Sequence, residues 1–133
     1  MQNPIEEFLA QKNFAVVGSF RNEEKYAYKI FRELKAKGHK VFAVNPHAQQ
    51  VDGEACYVSI SDISSGVDVV DFVTPPQVTE NILKECLKKG IKRAWLQPGS
   101  ESEEAIKFCR EHNIAVIYGV CVMLEGLKKE GKR

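Results

Sequence analysis

Short apolar segments alternate with amphipathic segments along most of this sequence, and this alternation restricts the fold more than any other feature. Short continuous apolar runs are typical of buried strands, whereas apolar residues spaced three and four apart, as in residues 24–37, are typical of helices. The predicted strands cover residues 14–18, 41–44, 56–58, 67–73, 92–96 and 114–118. Strands that are separated by helices pair in parallel through right-handed crossovers. We therefore expect a three-layered α/β fold with a doubly wound parallel sheet of the Rossmann type, in the strand order 3-2-1-4-5-6.

The chain is predicted to form a single domain over residues 1–133, because this length supports one hydrophobic core but not two. Asn3 and Pro4 precede apolar residues at helical spacing, which predicts a short helix at residues 3–12. A turn is expected at Asp52 and Gly53. Residues 126–133 are predicted to be a polar tail.

Charge and hydropathy exclude several classes of partner. The 19 Lys and Arg residues and the 18 Asp and Glu residues leave a net charge of +1, so the chain lacks the basic surface that nucleic acids bind. No apolar run approaches the length of a membrane span, and the first residues lack the features of a signal peptide. We therefore expect a cytoplasmic protein that binds neither nucleic acid nor membrane.

The four cysteines suggest neither disulfides nor a metal site. They lie at positions 56, 86, 109 and 121, without a Cys-x-x-Cys pair and without a histidine arranged beside them as a zinc ligand. Cys86 and Cys109 fall within helical patterns, and because free cysteine is among the most buried residue types, we expect both to be small core or half-buried residues.

Ligands of doubly wound sheets bind beyond the carboxyl ends of the strands, near the point where the strand order reverses. Among the loops that this rule selects, the one after the first strand is the most informative. Gly18 permits a tight turn, after which backbone N–H groups and the start of a helix can face an anion. Ser19 adds a hydroxyl group, and Arg21 and Lys25 add positive charge. This combination favours a ligand that carries several phosphates.

The same loop departs from the dinucleotide fingerprint G-x-G-x-x-G, because Phe20 and Glu23 occupy the positions of its second and third glycines. The end of the second strand, at residues 43–46, also lacks the carboxylate that would bind the ribose 2′-hydroxyl of NAD. A ribose that carries a phosphate is better tolerated there, so NADP and coenzyme A are admitted and NAD is disfavoured. The proline-containing loops at residues 74–76 and 97–99 offer rigid apolar walls for an adenine ring or a pantetheine arm.

The sequence contains no recognisable catalytic motif. Its three histidines are scattered, and it has no G-x-S-x-G elbow, P-loop or H-E-x-x-H sequence. Asp68 and Asp71 are interpreted as polar exposures of one strand rather than as an acid–base pair. Cys121 follows the last strand, and two interpretations stay open: a buried thiol, or a thiol near enough to a bound coenzyme A to form a mixed disulfide.

Nearly the whole chain resembles a known family. The resemblance rests on the motifs at residues 15–19, 25–26, 41–46, 56–57, 67–71 and 95–97 and on Cys121. Together these motifs resemble the small single-domain CoA-binding proteins, whose fold is that of the N-terminal CoA-binding domain of the succinyl-CoA synthetase α subunit. The synthetase performs its chemistry through a phosphorylated histidine in a second domain, so the resemblance implies binding of coenzyme A and does not imply catalysis.

The resemblance also implies which residues contact the ligand. The family often has a lysine at the position of His47, so a phosphate is bound either there or by Arg21 and Lys25. The implied contacts are Gly18, Ser19, Phe20 and Arg21 in the phosphate loop, Val44, Asn45 and Pro46 beside the nucleotide, Thr74 and Pro75 on its other side, and Leu96, Gln97 and Pro98 along the CoA arm.

Three hypotheses follow from these observations. The first is a domain that binds coenzyme A or an acyl-CoA without catalysis of its own. The second is an NADP-type oxidoreductase or a nucleotide-responsive redox sensor, and the third is a non-catalytic interaction subunit with a vestigial pocket. Besides the small-molecule nucleotide, a homo-oligomer or an unknown protein partner stays open.

Overall fold

Strands and helices alternate along the computed structural model, which describes residues 4–21, 24–47 and 50–122. The helices are α1 (Pro4–Leu9), α2 (Tyr26–Ala36), α3 (Pro76–Lys89) and α4 (Glu103–Glu111), with a 3-10 turn at Ile60–Asp62. The strands are β1 (Asn13–Val17), β2 (Lys40–Val44), β3 (Gln50–Val51), β4 (Glu54–Tyr57), β5 (Val69–Phe72), β6 (Arg93–Leu96) and β7 (Ala115–Tyr118).

The strands form one sheet in the order β3-β4-β2-β1-β5-β6-β7, in which every pair is parallel except β3 with β4. The six predicted strands therefore stand in the predicted order, and the prediction omitted β3. This strand has only two residues, which is too short to produce an apolar pattern, and it pairs with β4 as a hairpin at the edge of the sheet. Asp52 (φ 53°) and Gly53 (φ 80°) form its turn, as predicted.

Helices cover both faces of the sheet, which confirms the three-layered, doubly wound fold. On one face, side chains of the strands such as Val17 and Phe72 pack with Leu83 of α3 and Cys109 of α4. On the opposite face, the side chains of alternate strand residues pack with Phe8 of α1 and with the α2 residues Ala27, Ile30, Phe31 and Leu34. Because both faces are covered, the central strands are apolar at nearly every position.

The helices begin and end where the sequence places breakers and caps. Gly90 adopts a left-handed conformation (φ 82°) and ends α3, and the Ser102 hydroxyl group accepts a 3.0 Å hydrogen bond from the Ala105 N–H to cap α4. The first helix is shorter than the predicted range 3–12, and residue 3 and the predicted tail at 126–133 lie outside the described residues. None of the described helices is long and apolar enough to cross a bilayer.

Candidate functional site

A cleft of about 250 Å³ opens at the carboxyl ends of β1, β2 and β5. It lies where β1 pairs with β2 on one side and with β5 on the other, which is the point where the strand order reverses. Its lining consists of Val17, Gly18, Ser19, Val44, Asn45, Pro46, Val73, Thr74, Pro75, Val78 and Ile82. A volume slightly below that of sites for drug-sized ligands suits one ring system with its attached groups rather than a whole dinucleotide.

The cleft brings together seven of the residues that the sequence assigned to the site: Gly18, Ser19, Val44, Asn45, Pro46, Thr74 and Pro75. These residues come from three segments at or just after strand ends, which are far apart along the chain. The remaining predicted residues do not line the cleft: Phe20, Arg21, Lys25, His47, Leu96, Gln97, Pro98 and Cys121.

Gly18 lies where no side chain has room. A Cβ atom at this position would be 2.6 Å from the Ala27 Cβ atom of α2, 3.0 Å from the Val73 carbonyl oxygen and 3.2 Å from the Val73 Cβ atom. Its φ lies outside the left-handed region. Glycine is therefore required for the close approach of α2 and the end of β5, and not for the tight turn that the sequence suggested.

Asn45 joins the loops that follow β1 and β2. Its Nδ2 atom donates a 2.6 Å hydrogen bond to the Gly18 carbonyl oxygen, and its Oδ1 atom accepts a 2.7 Å bond from the His47 N–H. The Gly18 N–H in turn donates to the Val44 carbonyl oxygen at 3.2 Å. Both polar atoms of the Asn45 side chain are thus engaged, so this side chain shapes the rim of the cleft while the exposed His47 imidazole lies beyond it.

The first turns of α2 and α3 face the carboxyl edge of the sheet without side-chain caps. Lys25 occupies the cap position of α2 and Pro75 that of α3, and neither first turn contains an acidic residue. The start of α4 differs, because Ser102 caps it and Glu103 and Glu104 follow. Uncapped N–H groups and the helix dipole favour an anion at α2 and α3.

Arg21 is exposed and Lys25 is half-buried, on either side of residues 22–23, which lie outside the described residues. Phe20, between Ser19 and Arg21, turns inward instead. Its ring is buried and packs edge to face on Phe31 with a centroid distance of 5.9 Å. The side chain of Phe20 therefore belongs to the core beneath the loop.

Beyond β6, the residues predicted to contact a CoA arm take different positions. Leu96 is fully buried in the core, Gln97 is 1% exposed, and Pro98 is exposed. The Gln97 Nε2 atom donates to the Oδ1 atom of Asp71, and its Oε1 atom accepts a 3.1 Å hydrogen bond from the Val122 N–H. Both polar atoms of the Gln97 side chain are therefore hydrogen-bonded within the protein.

Asp71 was interpreted as a polar exposure, and this interpretation is wrong. The side chain is fully buried, and burial, which outweighs the hydrogen bond from Gln97, raises its pKa from 3.8 to about 7. The signal was present in the sequence, because an acidic residue in the middle of an apolar run must be buried when both faces of the sheet are covered. Asp68, by contrast, is half-buried and accepts a 2.9 Å hydrogen bond from the Asn13 N–H.

Cys121 is buried beside the first turn of α2, where its Sγ atom forms a hydrogen bond with the Tyr26 hydroxyl group. Its neighbour Val120 accepts a 3.0 Å hydrogen bond from the Trp95 indole N–H. Cys86 and Cys109 are fully buried, as predicted, and burial raises the pKa of both thiols, that of Cys109 to about 11. Among the described residues, no group of three or more His, Cys, Asp or Glu side chains is placed to hold a metal ion.

Comparison of the sequence with known proteins finds a family and a relative whose names both refer to coenzyme A. Residues 12–126 match the family described as CoA binding domain. An ADP-forming acetate–CoA ligase of Methanocaldococcus jannaschii is 32% identical over 119 residues, which are 84% of this chain and 17% of the ligase. The chain thus spans about a sixth of the length of this curated relative.

Two solved structures match over most of both chains. A conserved hypothetical protein from Pyrococcus furiosus is 37% identical with a TM-score of 0.82, over 86% of this chain and 99% of that one. A hypothetical protein from Pyrococcus horikoshii is 32% identical with a TM-score of 0.89, over 93% of this chain and 88% of that one. The same fold therefore also occurs in chains of about this size.

Proposed function

This chain belongs to the CoA-binding domain family, and on that premise we propose that it binds coenzyme A or an acyl-CoA without catalysing a reaction of its own. One observation carries the proposal. The apolar cleft lies next to the loop at residues 18–21 and next to the uncapped start of α2, at the point where the strand order reverses. A ring that is joined to phosphates fits this arrangement.

The cleft suits the adenine end of the ligand. Its walls are largely apolar, since Val44, Val73, Val78 and Ile82 surround it, and none of the described residues that line it is charged. A ribose held as in an NAD site would need a carboxylate at the end of β2, where this chain has Asn45. Because that carboxylate is missing, a ribose that carries a phosphate is better tolerated at this position.

The phosphates would lie over Ser19 and the first turn of α2, within the positive field of the helix start. Arg21 and Lys25 would add charge there. The close packing at Gly18 supports this placement, because it brings the backbone of the loop against α2 and lets no side chain intervene. The CoA arm would then extend along the edge of the sheet toward Pro98.

A curated relative indicates the kind of protein in which such binding is used. The Methanocaldococcus jannaschii relative is named as a ligase of acetate and coenzyme A, and the matched segment is 17% of its length. We propose that the present chain corresponds to the CoA-binding part of such a protein, acts in the cytoplasm, and works as a homo-oligomer or with a protein partner.

A ligand panel tests the binding directly. Coenzyme A or acetyl-CoA is expected to raise the melting temperature of the purified protein, because a ligand that binds only the folded state stabilises it by ~2.7 kcal/mol at a hundred times its Kd. NAD and NADP at the same concentrations should leave it nearly unchanged. A shift with NADP and none with coenzyme A would support the oxidoreductase or sensor hypothesis instead, and no shift with either would favour the vestigial pocket.

The phosphate site is tested by Arg21→Ala and Lys25→Ala. Each variant is expected to weaken the binding of coenzyme A by about tenfold to a hundredfold, since a hydrogen bond to a charged group contributes ~1.5–3 kcal/mol. The binding of adenosine should be weakened much less. Isothermal titration with coenzyme A, dephospho-CoA and adenosine separates the phosphates from the ring. Lys88→Ala, in the last turn of α3 at the opposite edge of the sheet, is the matched control. Equal losses for all three ligands would argue against a phosphate role.

A further inference from the structure

Asp71 is a fully buried acid in the middle of the sheet, and the proposed ligand cleft does not use it. Val16 of β1 and Trp95 of β6 stand opposite it in the two neighbouring strands. Its Oδ1 atom accepts a hydrogen bond from the Gln97 amide, whereas its Oδ2 atom has no partner among the described residues. Buried polar atoms are nearly always paired in native proteins, so this exception calls for a reason.

Gln97 connects Asp71 to residues 120–122, which follow the last strand. The Gln97 Oε1 atom accepts the Val122 N–H at 3.1 Å, and the Trp95 indole donates to the Val120 carbonyl oxygen at 3.0 Å. Between these two anchors lies Cys121, whose Sγ atom contacts the Tyr26 hydroxyl group in the first turn of α2. Side chains of β6, of the loop after it and of α2 thus hold three consecutive residues in place.

We propose that Asp71 and Gln97 form a proton-controlled latch that fixes residues 120–122 against the first turn of α2. An ionised carboxylate only accepts hydrogen bonds, so Gln97 must turn its NH₂ group to Asp71 and its carbonyl oxygen to the Val122 N–H. The latch is then closed. The orientation of the Gln97 amide group determines whether residues 120–122 are bound.

Protonation removes this constraint. A proton taken up from solvent by Asp71 provides an O–H donor, which the Gln97 carbonyl oxygen can accept after the amide rotates by half a turn. The rotated amide presents its NH₂ group to the Val122 N–H, where two donors face each other and no hydrogen bond forms. A neutral Asp71 keeps one acceptor oxygen to which the Gln97 NH₂ group can still donate, but this hydrogen bond loses its charge assistance and the rotated amide now competes with it. The latch is therefore weaker, and opens more often, when Asp71 is neutral.

The surroundings of Asp71 place this change in the neutral range. Burial raises its pKa to about 7, and the Gln97 bond opposes part of that rise. Val16 of β1 and Trp95 of β6 are uncharged, and Phe8 of α1 packs on the Trp95 ring.

The titratable groups beside residues 120–122 are the Cys121 thiol and the Tyr26 phenol, which contact each other. The other titratable side chains of α2 are exposed or half-buried: Tyr28, Lys29, Arg32, Glu33 and Lys35. In α1, Glu6 is exposed and Glu7 forms an ion pair with Arg93. The latch does not depend on which ligand the cleft binds.

The test is amide exchange at Val122 in the ligand-free protein, measured by NMR from pH 6 to pH 8 and divided by the intrinsic rate at each pH. Protection of the Val122 N–H is expected to fall by roughly tenfold from pH 8 to pH 6, which corresponds to losing one hydrogen bond. Asp71→Asn should make this protection independent of pH. Asp68→Asn, a matched change directly before β5, should preserve the dependence seen in the parent protein.

A second measurement keeps the test valid if Asp71→Asn does not fold. The ¹³C shift of the Asp71 carboxyl group and the ¹⁵N shift of Val122 should titrate with the same midpoint in the unaltered protein. Flat protection of Val122 between pH 6 and pH 8, different midpoints for the two shifts, or a pH dependence that persists in Asp71→Asn would each overturn the latch.

Discussion

Replacing Gly18 by alanine is expected to destabilise the fold and to weaken the binding of coenzyme A at least tenfold. The added methyl group would lie 2.6 Å from the Ala27 Cβ atom and 3.0 Å from the Val73 carbonyl oxygen, neither of which is the end of a flexible side chain. Overpacking of this kind costs ~1–3 kcal/mol. Relief of the clash must move α2 or the end of β5, which form two sides of the proposed site.

Urea unfolding and calorimetric titration with coenzyme A measure the two effects of Gly18→Ala separately. Gly66→Ala is the matched control, because its Cβ atom would meet no atom within 4 Å and its φ lies outside the left-handed region. This control should change stability by less than ~0.5 kcal/mol and should bind as the parent protein does. A Gly18→Ala protein with unchanged stability and unchanged affinity would contradict the proposed role of the close packing.

Asp71→Asn is expected to stabilise the protein, and increasingly so as the pH rises from about 4 to 7. The folded-state pKa of Asp71 is about 7 and its ordinary value is 3.8, so the folded state resists losing the proton that the unfolded state loses first. The free energy of unfolding therefore has its full value, as far as Asp71 is concerned, below pH 4, and it falls as the pH rises to 7. At ~1.4 kcal/mol for each pKa unit, ionisation would cost the fold about 4 kcal/mol in total.

The measurement is the difference in unfolding free energy between Asp71→Asn and the parent protein at several values between pH 5 and pH 8. The gain should be smaller than the full cost, because the asparagine NH₂ group leaves a donor unpartnered at the Oδ2 position, at ~1–3 kcal/mol. Asp68→Asn should have the opposite sign at pH 8, since Asp68 accepts the Asn13 N–H and loses a charged acceptor. A difference for Asp71→Asn that does not change with pH would show that the buried carboxyl does not titrate there.

The layers of the fold could be predicted from local patterns, and so could the edge of the sheet at which the site lies. Glycines and prolines mark the ends of the elements, and Gly90 and Pro76 stand where α3 ends and begins. The hairpin strand β3 could not be predicted, because two residues carry no periodicity and its pairing with β4 is a tertiary contact.

The loops that form the site could be predicted, but only some of the side chains that line it could be. Gly18, Asn45 and Thr74 do line one cleft. Phe20 and Leu96, which the family resemblance assigned to the site, are buried in the core. Loop positions follow from the rule for parallel sheets, whereas the direction of each side chain depends on the elements that pack around it.

By itself, the amino-acid sequence determined the helices and every strand except β3, the parallel pairing of those strands, and that no carboxylate follows β2 at Asn45. These are properties of neighbouring residues. The tertiary structure set the role of Gly18 as a point of close approach, the hydrogen bond between Asp71 and Gln97 and the contact of Cys121 with Tyr26. The physical reason is that crossovers bring together strand ends that are far apart in the chain. In addition, a strand covered on both faces shows no alternation that reveals where each side chain points.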